Sequence, residues 1–276
     1  MTIYNNLTND MKKTISFKLF FTVLWRRICQ VFRFIGKIFG YKDNSSYAKV
    51  NTNMNMEMPQ ELIRFFEKSI NWILPGCQLF YRDTDADIDV QKSYQVGSVI
   101  RAGFFIDVTV KAQRPTTKFR FIIGSAHCAK LYEAVPDADM VRWRLCTLHF
   151  NSYFKVMDVY EKDGITQIFL LHIPYQAVSF FMSEHSFDFI QGASRTNLVE
   201  IVRRSLDEKL QMDVFADTTE EELLKRMKQP VGLDSKGNPV PMGYMPIPEE
   251  YKDISDAVRS LANDLDPINY PKGYHE

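Results

Sequence analysis

The sequence predicts an α+β fold. An antiparallel sheet of five to six strands is packed by a leading helix and a C-terminal helical pair. An N-terminal basic amphipathic helix precedes this body and a Pro-rich acidic tail follows it. Three observations carry the prediction. Apolar residues recur at helical spacing over residues 59–74, at a spacing of two over much of 98–182, and at helical spacing again beyond 194. The strand-like runs are joined by short polar turns, which suits neighbouring antiparallel strands. Charge is divided along the chain: residues 1–50 carry nine Lys/Arg against two Asp/Glu, 51–204 carry seventeen of each, and 205–276 carry eight against fifteen. The net charge of zero is thus +7, 0 and −7 in turn, which divides the chain into residues 1–41, a linker 42–56, a body 57–229 and a tail 230–276.

Residues 15–41 hold no acid. On a helical wheel Lys18, Arg26, Arg33 and Lys37 fall on one polar arc, Arg27 lies beside it, and Phe, Leu, Ile, Val and Trp25 fill the rest. A spanning helix is disfavoured, because Arg26 and Arg27 would lie near mid-bilayer. A secretory signal starting at Met11 lacks a small-residue cleavage site. The pattern fits an interfacial helix that meets anionic lipid through Lys18, Trp25, Arg26, Arg27, Arg33 and Lys37. Its competitor is packing of the apolar face on the protein's own body or a partner. Residues 42–56, rich in Asn and Ser and without period, read as the linker.

Residues 59–74 form a helix with Pro59 in the first turn and Pro75-Gly76 as its stop. Residues 98–111 alternate as one strand, with Arg101, Asp107, Thr109 and Lys111 on the polar side. Residues 117–124 and 142–150 read as two more strands. Residues 154–160 and 165–173 read as a hairpin about Asp163-Gly164, a type I′ signal, and 175–182 as the closing strand. The hairpin register would set His172 across from Lys155. Helices follow over 194–212 and 218–227, the latter opening on a capping-box pattern. The tail holds seven of the chain's twelve prolines and reads as an extended or solvated arm. It has one short helix over 253–264, and Tyr244, Met245 and Ile247 are its candidate partner contacts.

Hydrophobic residues make up 45% and charged residues 25%, which excludes a wholly disordered chain. No uncharged apolar run approaches the ~18 residues of a bilayer span, which excludes a polytopic helical membrane protein. The four cysteines form no C-x-x-C pair, so a zinc site of the usual spacing is disfavoured and they read as buried thiols in a reducing compartment. No P-loop, G-x-G-x-x-G, H-E-x-x-H or kinase signature occurs.

Four groups could carry chemistry. Asp83, Asp85, Asp87 and Asp89 alternate as in a calcium loop, but Ile88 stands at the turn glycine and Tyr94 at the bidentate Glu. Asp107 and Lys111 near those aspartates suggest a metal-dependent nuclease or hydrolase centre, although the usual adjacent triplet is missing. His127, Cys128, His149, His172 and His185 could supply a Cys–His pair, whereas Ser125 in Gly-Ser-Ala-His does not match the nucleophile elbow. Arg101, Lys111, Lys118, Arg120, Arg142 and Arg144 would form a basic sheet face for phosphates, an acidic partner or the protein's own tail. Only Phe105 offers stacking there, which disfavours nucleic acid.

The leading expectation is a cytoplasmic, non-enzymatic adaptor, peripheral to a membrane and engaging a protein partner, without a cofactor. Head and tail could also pair between copies. The second expectation is a divalent-metal hydrolase or nuclease using Asp83, Asp85, Asp87, Asp107 and Lys111.

Overall fold

The computed structural model describes residues 60–73, 75–112, 117–182, 196–211 and 221–263. The basic segment, with Lys18, Trp25, Arg26, Arg27, Arg33 and Lys37, lies outside the described residues, as does His185. Among the described residues no helix is long and apolar enough to cross a membrane.

The fold is α+β, as its periodicity implies, but the sheet is mixed and has seven strands. Helix α1 (Gln60–Ile73) leads into β1 (Gln78–Thr84), the short helix α2 (Val90–Ser93), β2 (Val99–Arg101), β3 (Ile106–Thr109) and β4 (Phe119–Ser125). Helices α3 (Leu131–Ala134) and α4 (Ala138–Trp143) precede β5 (Leu145–Leu148), β6 (Tyr153–Lys162) and β7 (Ile165–Ile173). Helices α5 (Val178–Met182), α6 (Thr196–Gln211), α7 (Glu221–Arg226) and α8 (Lys252–Leu261) complete the described elements. The strand order is β2-β6-β7-β4-β1-β3-β5, and β4 runs parallel to β7 while the other pairs are antiparallel.

Several expectations are corrected here. The single strand expected over 98–111 is two strands, and they lie on opposite halves of the sheet. In a flat sheet β2 and β3 would be five inter-strand steps apart, ~24 Å at ~4.8 Å per step. The five residue steps from Arg101 to Ile106 reach at most ~18 Å. The sheet must therefore curl so that its halves approach each other. Gly103 lies in the crossing, where a Cβ would sit 2.9 Å from Val240 Cγ2. Strand β1 was not foreseen, because Leu79-Phe80-Tyr81 breaks the alternation and acids follow it. The closing strand expected over 175–182 is a 3-10 turn (Tyr175–Ala177) and α5. Pro174 precedes the turn, and buried Ala177, Val178 and Phe181 follow helical rather than alternate spacing.

The hairpin turn holds: Asp163 and Gly164 both have positive φ, 52° and 76°. Its register does not, because an irregularity between Val156 and Asp158 shifts the pairing, so His172 faces Phe154 and not Lys155.

Both faces of the sheet are buried. Inside the curl Phe80, Ile106, Val108, Phe121, Ile123, Cys146, Phe154, Ile168 and Leu170 form one core. On the other face Tyr81, Ile122, Tyr153, Met157 and Phe169 pack with Trp72 of α1 and with Val202 and Leu206 of α6. The polar side of each alternation is thus buried too and needs internal partners. Arg120, expected outward, is fully buried and ion-pairs with Asp83 at 2.7 Å across the β1–β4 register. Arg101, also expected outward, donates to the Pro241 carbonyl at 2.6 Å and to Asn151 Oδ1 at 2.8 Å.

The tail from 230 to 263 is ordered on this body. Arg101 and Asn151 bind it through the carbonyls of Pro241 and Met245, and the Tyr153 hydroxyl donates to Met242. Farther on, α8 seats Val258 and Ala262 on Ala129, and Ser255 meets His149 Nε2 at 2.6 Å.

Two predictions follow from this packing. Gly103→Ala should cost about 1–3 kcal/mol in urea unfolding, since a stiff Val240 must give way. Val240→Ala should recover part of that cost, and strict additivity in the double mutant would refute the contact. The second concerns pH. Burial, with Arg259 nearby, depresses His149 from 6.5 to about 3, and burial also depresses His172 well below its usual value. Both folded pKa values lie below the unfolded ones. Their contribution is therefore complete above pH 6.5 and is lost as pH falls, because only the unfolded chain takes up these protons. Stability should decline between pH 6.5 and 5, approaching ~1.4 kcal/mol per pH unit for each histidine. A flat profile there would refute it.

Candidate ligand cleft

The inner side chains of β1 are Phe80, Arg82 and Thr84. Phe80 joins the core, and the other two reach the segment after α7. The Gln229 carbonyl accepts from Arg82 Nε (3.2 Å) and Nη2 (2.8 Å), and the Arg226 carbonyl accepts from Nη2 (3.2 Å). Arg82 Nη1 donates to the Asp107 carbonyl of β3 at 2.7 Å. Thr84 Oγ1 donates to the Lys228 carbonyl at 2.7 Å, and the Tyr94 hydroxyl to that of Val231 at 2.7 Å. Burial lowers the Arg82 guanidinium to about 10, so it stays charged at neutral pH.

These bonds turn the backbone carbonyls of 226–231 inward and build one wall of a cleft of about 690 Å³. Ala86, Asp87 and Ile88, Phe104 of the β2–β3 crossing and the Asp234–Gly237 turn complete its lining. The Arg82 guanidinium lies 5.5 Å from the Phe104 ring centre. Four cationic side chains line the cleft, Lys225, Arg226, Lys228 and Lys236, against the acids Asp87 and Asp234. Arg226 reaches Asp107 at 3.4 Å and Lys225 an exposed Glu221 at 2.9 Å. Asp234 accepts from the backbone N–H groups of Lys236 and Asn238, both at 2.8 Å, which hold its carboxyl below the usual range. The lining is thus net positive and has one aromatic ring.

The aspartates expected to share a metal are not brought together. Asp83 is buried against Arg120, and burial pushes its carboxyl up against the pull of that guanidinium. Asp85 and Asp87 are exposed, and Asp89 caps α2 by accepting from the Lys92 N–H at 3.1 Å. Asp107 faces Arg226, while Lys111 is half-buried near Arg144, with its amine lowered by burial. Among the described residues no group of three or more His, Cys, Asp and Glu could hold a metal ion.

The expected basic face is dispersed. Arg101 and Arg120 are buried, Lys118 is exposed on β4's approach, and Arg142 and Arg144 sit on the end and C-cap of α4. Burial raises the Cys128 thiol well above its ordinary value, which suppresses thiolate chemistry.

The cleft residues Phe104, Lys225, Arg226, Lys228 and Lys236 were missed in the sequence, since they come from a strand crossing, a helix end and a tail turn. The available signal was Tyr-Arg-Asp, a charge pair inside the apolar run of β1.

No family model matches the chain, and no curated protein does. Among solved structures it is similar to the type III effector XopAI of Xanthomonas axonopodis pv. citri (TM-score 0.31, 14% identity, 36% of this chain and 47% of that one). It is also similar to the ADP-ribosyltransferase HopU1 of Pseudomonas syringae pv. Tomato (0.30, 16%, 35% and 45%). A third likeness is to Exoenzyme S of Pseudomonas aeruginosa, in complex with human 14-3-3 protein beta and bound to carba-NAD (0.30, 13%, 40% and 55%). The chain thus spans about half the length of these proteins. The expectation of a non-enzymatic, membrane-peripheral adaptor stands against these likenesses, to a type III effector, an ADP-ribosyltransferase and an exoenzyme, and is not carried forward. At TM-scores near 0.3 they transfer no activity to this chain, and its function is argued from its own cleft.

Arg82→Met keeps an unbranched apolar stem and removes every donor. It should cost at least about 3 kcal/mol, since the buried carbonyls of Asp107, Arg226 and Gln229 lose their partners. Trypsin should then cut the native protein faster after Lys225, Arg226 or Lys228. Unchanged stability and cleavage would show that the wall stands without Arg82.

Proposed function

We propose that the chain binds an anionic small molecule of the nucleotide class in the cleft between the β1–α2 loop and the 225–237 segment. One observation carries this: an aromatic ring, Phe104, lines a net-positive cleft of about 690 Å³. That volume is within the ~300–1,000 Å³ of small-ligand sites. Lys228 and Lys236 are exposed and enter no ion pair among the described residues, so their ammonium groups can meet phosphate oxygens. Phe104, whose ring lines the cleft, is the residue on which a planar base would stack, a contact worth ~1–3 kcal/mol per base on protein aromatic side chains. Arg82 acts from behind, by fixing the wall and standing beside the ring.

The test is calorimetry on the full chain with ADP, ATP, NAD and pyrophosphate. NAD is included because the Exoenzyme S structure is described with carba-NAD. Binding at or below millimolar concentration is expected, weakening as salt rises. The paired change of Lys228 and Lys236 to Glu should weaken it at least tenfold. Absence of heat with all four compounds at millimolar concentration would overturn the proposal.

A further inference from the structure

A second cleft, of about 540 Å³, opens at the C-terminal end of β4, away from the cationic one. Gly76, Gln78, Phe80, Ser125, Cys128 and Leu261 are among its lining residues. Ser125 follows Phe121 and Ile123 at a spacing of two, and its register partner on β1 is Gln78, two residues before Phe80. Its side chain therefore shares the face of Gln78 and Phe80, on the side of this cleft.

The Ser125 Oγ lies 2.8 Å from His172 Nδ1 on the neighbouring parallel strand β7. The same oxygen accepts the backbone N–H of His127 at 3.0 Å. In the tautomer that carries its proton on Nε2, which meets no hydrogen-bond partner among the described residues, His172 accepts the hydroxyl proton at Nδ1. His172 is held in place by packing: Phe154 tilts against it at 5.1 Å and Trp72 meets it edge-on at 4.8 Å between ring centres. Trp72 also stacks on His127 at 4.0 Å, and His127 Nε2 donates to the Trp72 carbonyl at 2.8 Å. A hydroxyl hydrogen-bonded to a rigidly held imidazole, beside a cavity of ligand size, is the arrangement of an activated nucleophile.

We infer that Ser125 and His172 form a nucleophile–base pair that takes the acyl group of a small ester entering this cleft. The Ser125 Oγ attacks the carbonyl carbon as its proton passes to His172 Nδ1. The ester C–O bond then breaks, and the leaving oxygen takes that proton from the imidazolium. Water then attacks the acyl carbon as its proton passes to the same ring nitrogen, the Oγ–acyl bond breaks, and Oγ takes that proton back as the acid leaves.

The probe is p-nitrophenyl acetate on the full chain, with p-nitrophenolate release followed by absorbance and the acetyl group placed by peptide mass spectrometry. Acetylation at Ser125 is expected, with none at this position in a Ser125→Ala variant that melts like the parent. His172→Gln should slow the step at least ~100-fold, the lower end of general-base catalysis. A measurement that does not depend on how that variant folds is the pH profile of the parent. Burial keeps His172 neutral, and His127 and His149 are the titratable groups acting on it, so labelling should be nearly flat from pH 6.5 to 8. An unassisted hydroxyl would instead quicken tenfold per pH unit. Acetyl groups found elsewhere and not on Ser125, or a tenfold rise per pH unit, would overturn the inference.

Discussion

The structure depends on one guanidinium and the carbonyls it fills. Arg82 is fully buried in the sheet and makes four hydrogen bonds, all to backbone oxygens, one on the last residue of α7 and two on the segment after it. A buried cation without a carboxylate at contact distance is costly unless its donors are satisfied. Here the oriented carbonyl dipoles of Asp107, Arg226 and Gln229 replace water around the charge. The constraint works in both directions: the segment also needs these donors, because its carbonyls point into the protein. The wall of the cationic cleft is therefore a consequence of a strand residue, and the charge of its exposed side chains is a separate matter.

The same logic explains the reach of the tail. Arg101, Asn151 and Tyr153 take up the carbonyls of Pro241, Met245 and Met242, as Arg82, Thr84 and Tyr94 do for residues 226–231. Backbone carbonyls carry no sequence signature, so a stretch rich in Pro and Gly reads as solvated although the carbonyls of Pro241, Met242 and Met245 are engaged. The acidic character of the tail contributes little to its docking: Glu249 pairs with Lys252 within the tail, and Asp234 closes its own turn. The basic head lies outside the described residues, so its pairing with the tail is not described.

Legibility in the sequence followed periodicity. Helices α1, α6, α7 and α8, the β6–β7 hairpin and β4 were readable because each has one dominant period and a clear stop or turn. Two features defeated that signal. Strand β1 hides its alternation behind three consecutive apolar residues, and Val99–Thr109 keeps alternating while the chain crosses from one half of the sheet to the other. Alternation records which side a residue faces, and says nothing of which strand lies beside it. The basic face failed for a related reason: a sheet covered on both sides buries its polar alternates too, and Arg101 and Arg120 became interior partners rather than a surface. The mixed sheet arises from the parallel β4–β7 pair, joined through the whole β5–β6 excursion, which local spacing cannot reveal.

The two clefts divide what the sequence offered as chemistry. Charge gathers around Phe104, where cations from a helix end and a tail turn meet across a wall fixed by Arg82. Nucleophile and base gather around Ser125, where two parallel strands set side chains at equal height. Parallel pairing makes that second site: residues one step past the Gly124–Leu171 register become neighbours on one face, so Ser125 and His172 meet although 47 positions separate them. The one parallel pair in the sheet, the feature least visible in the sequence, is therefore what brings this hydroxyl to its imidazole.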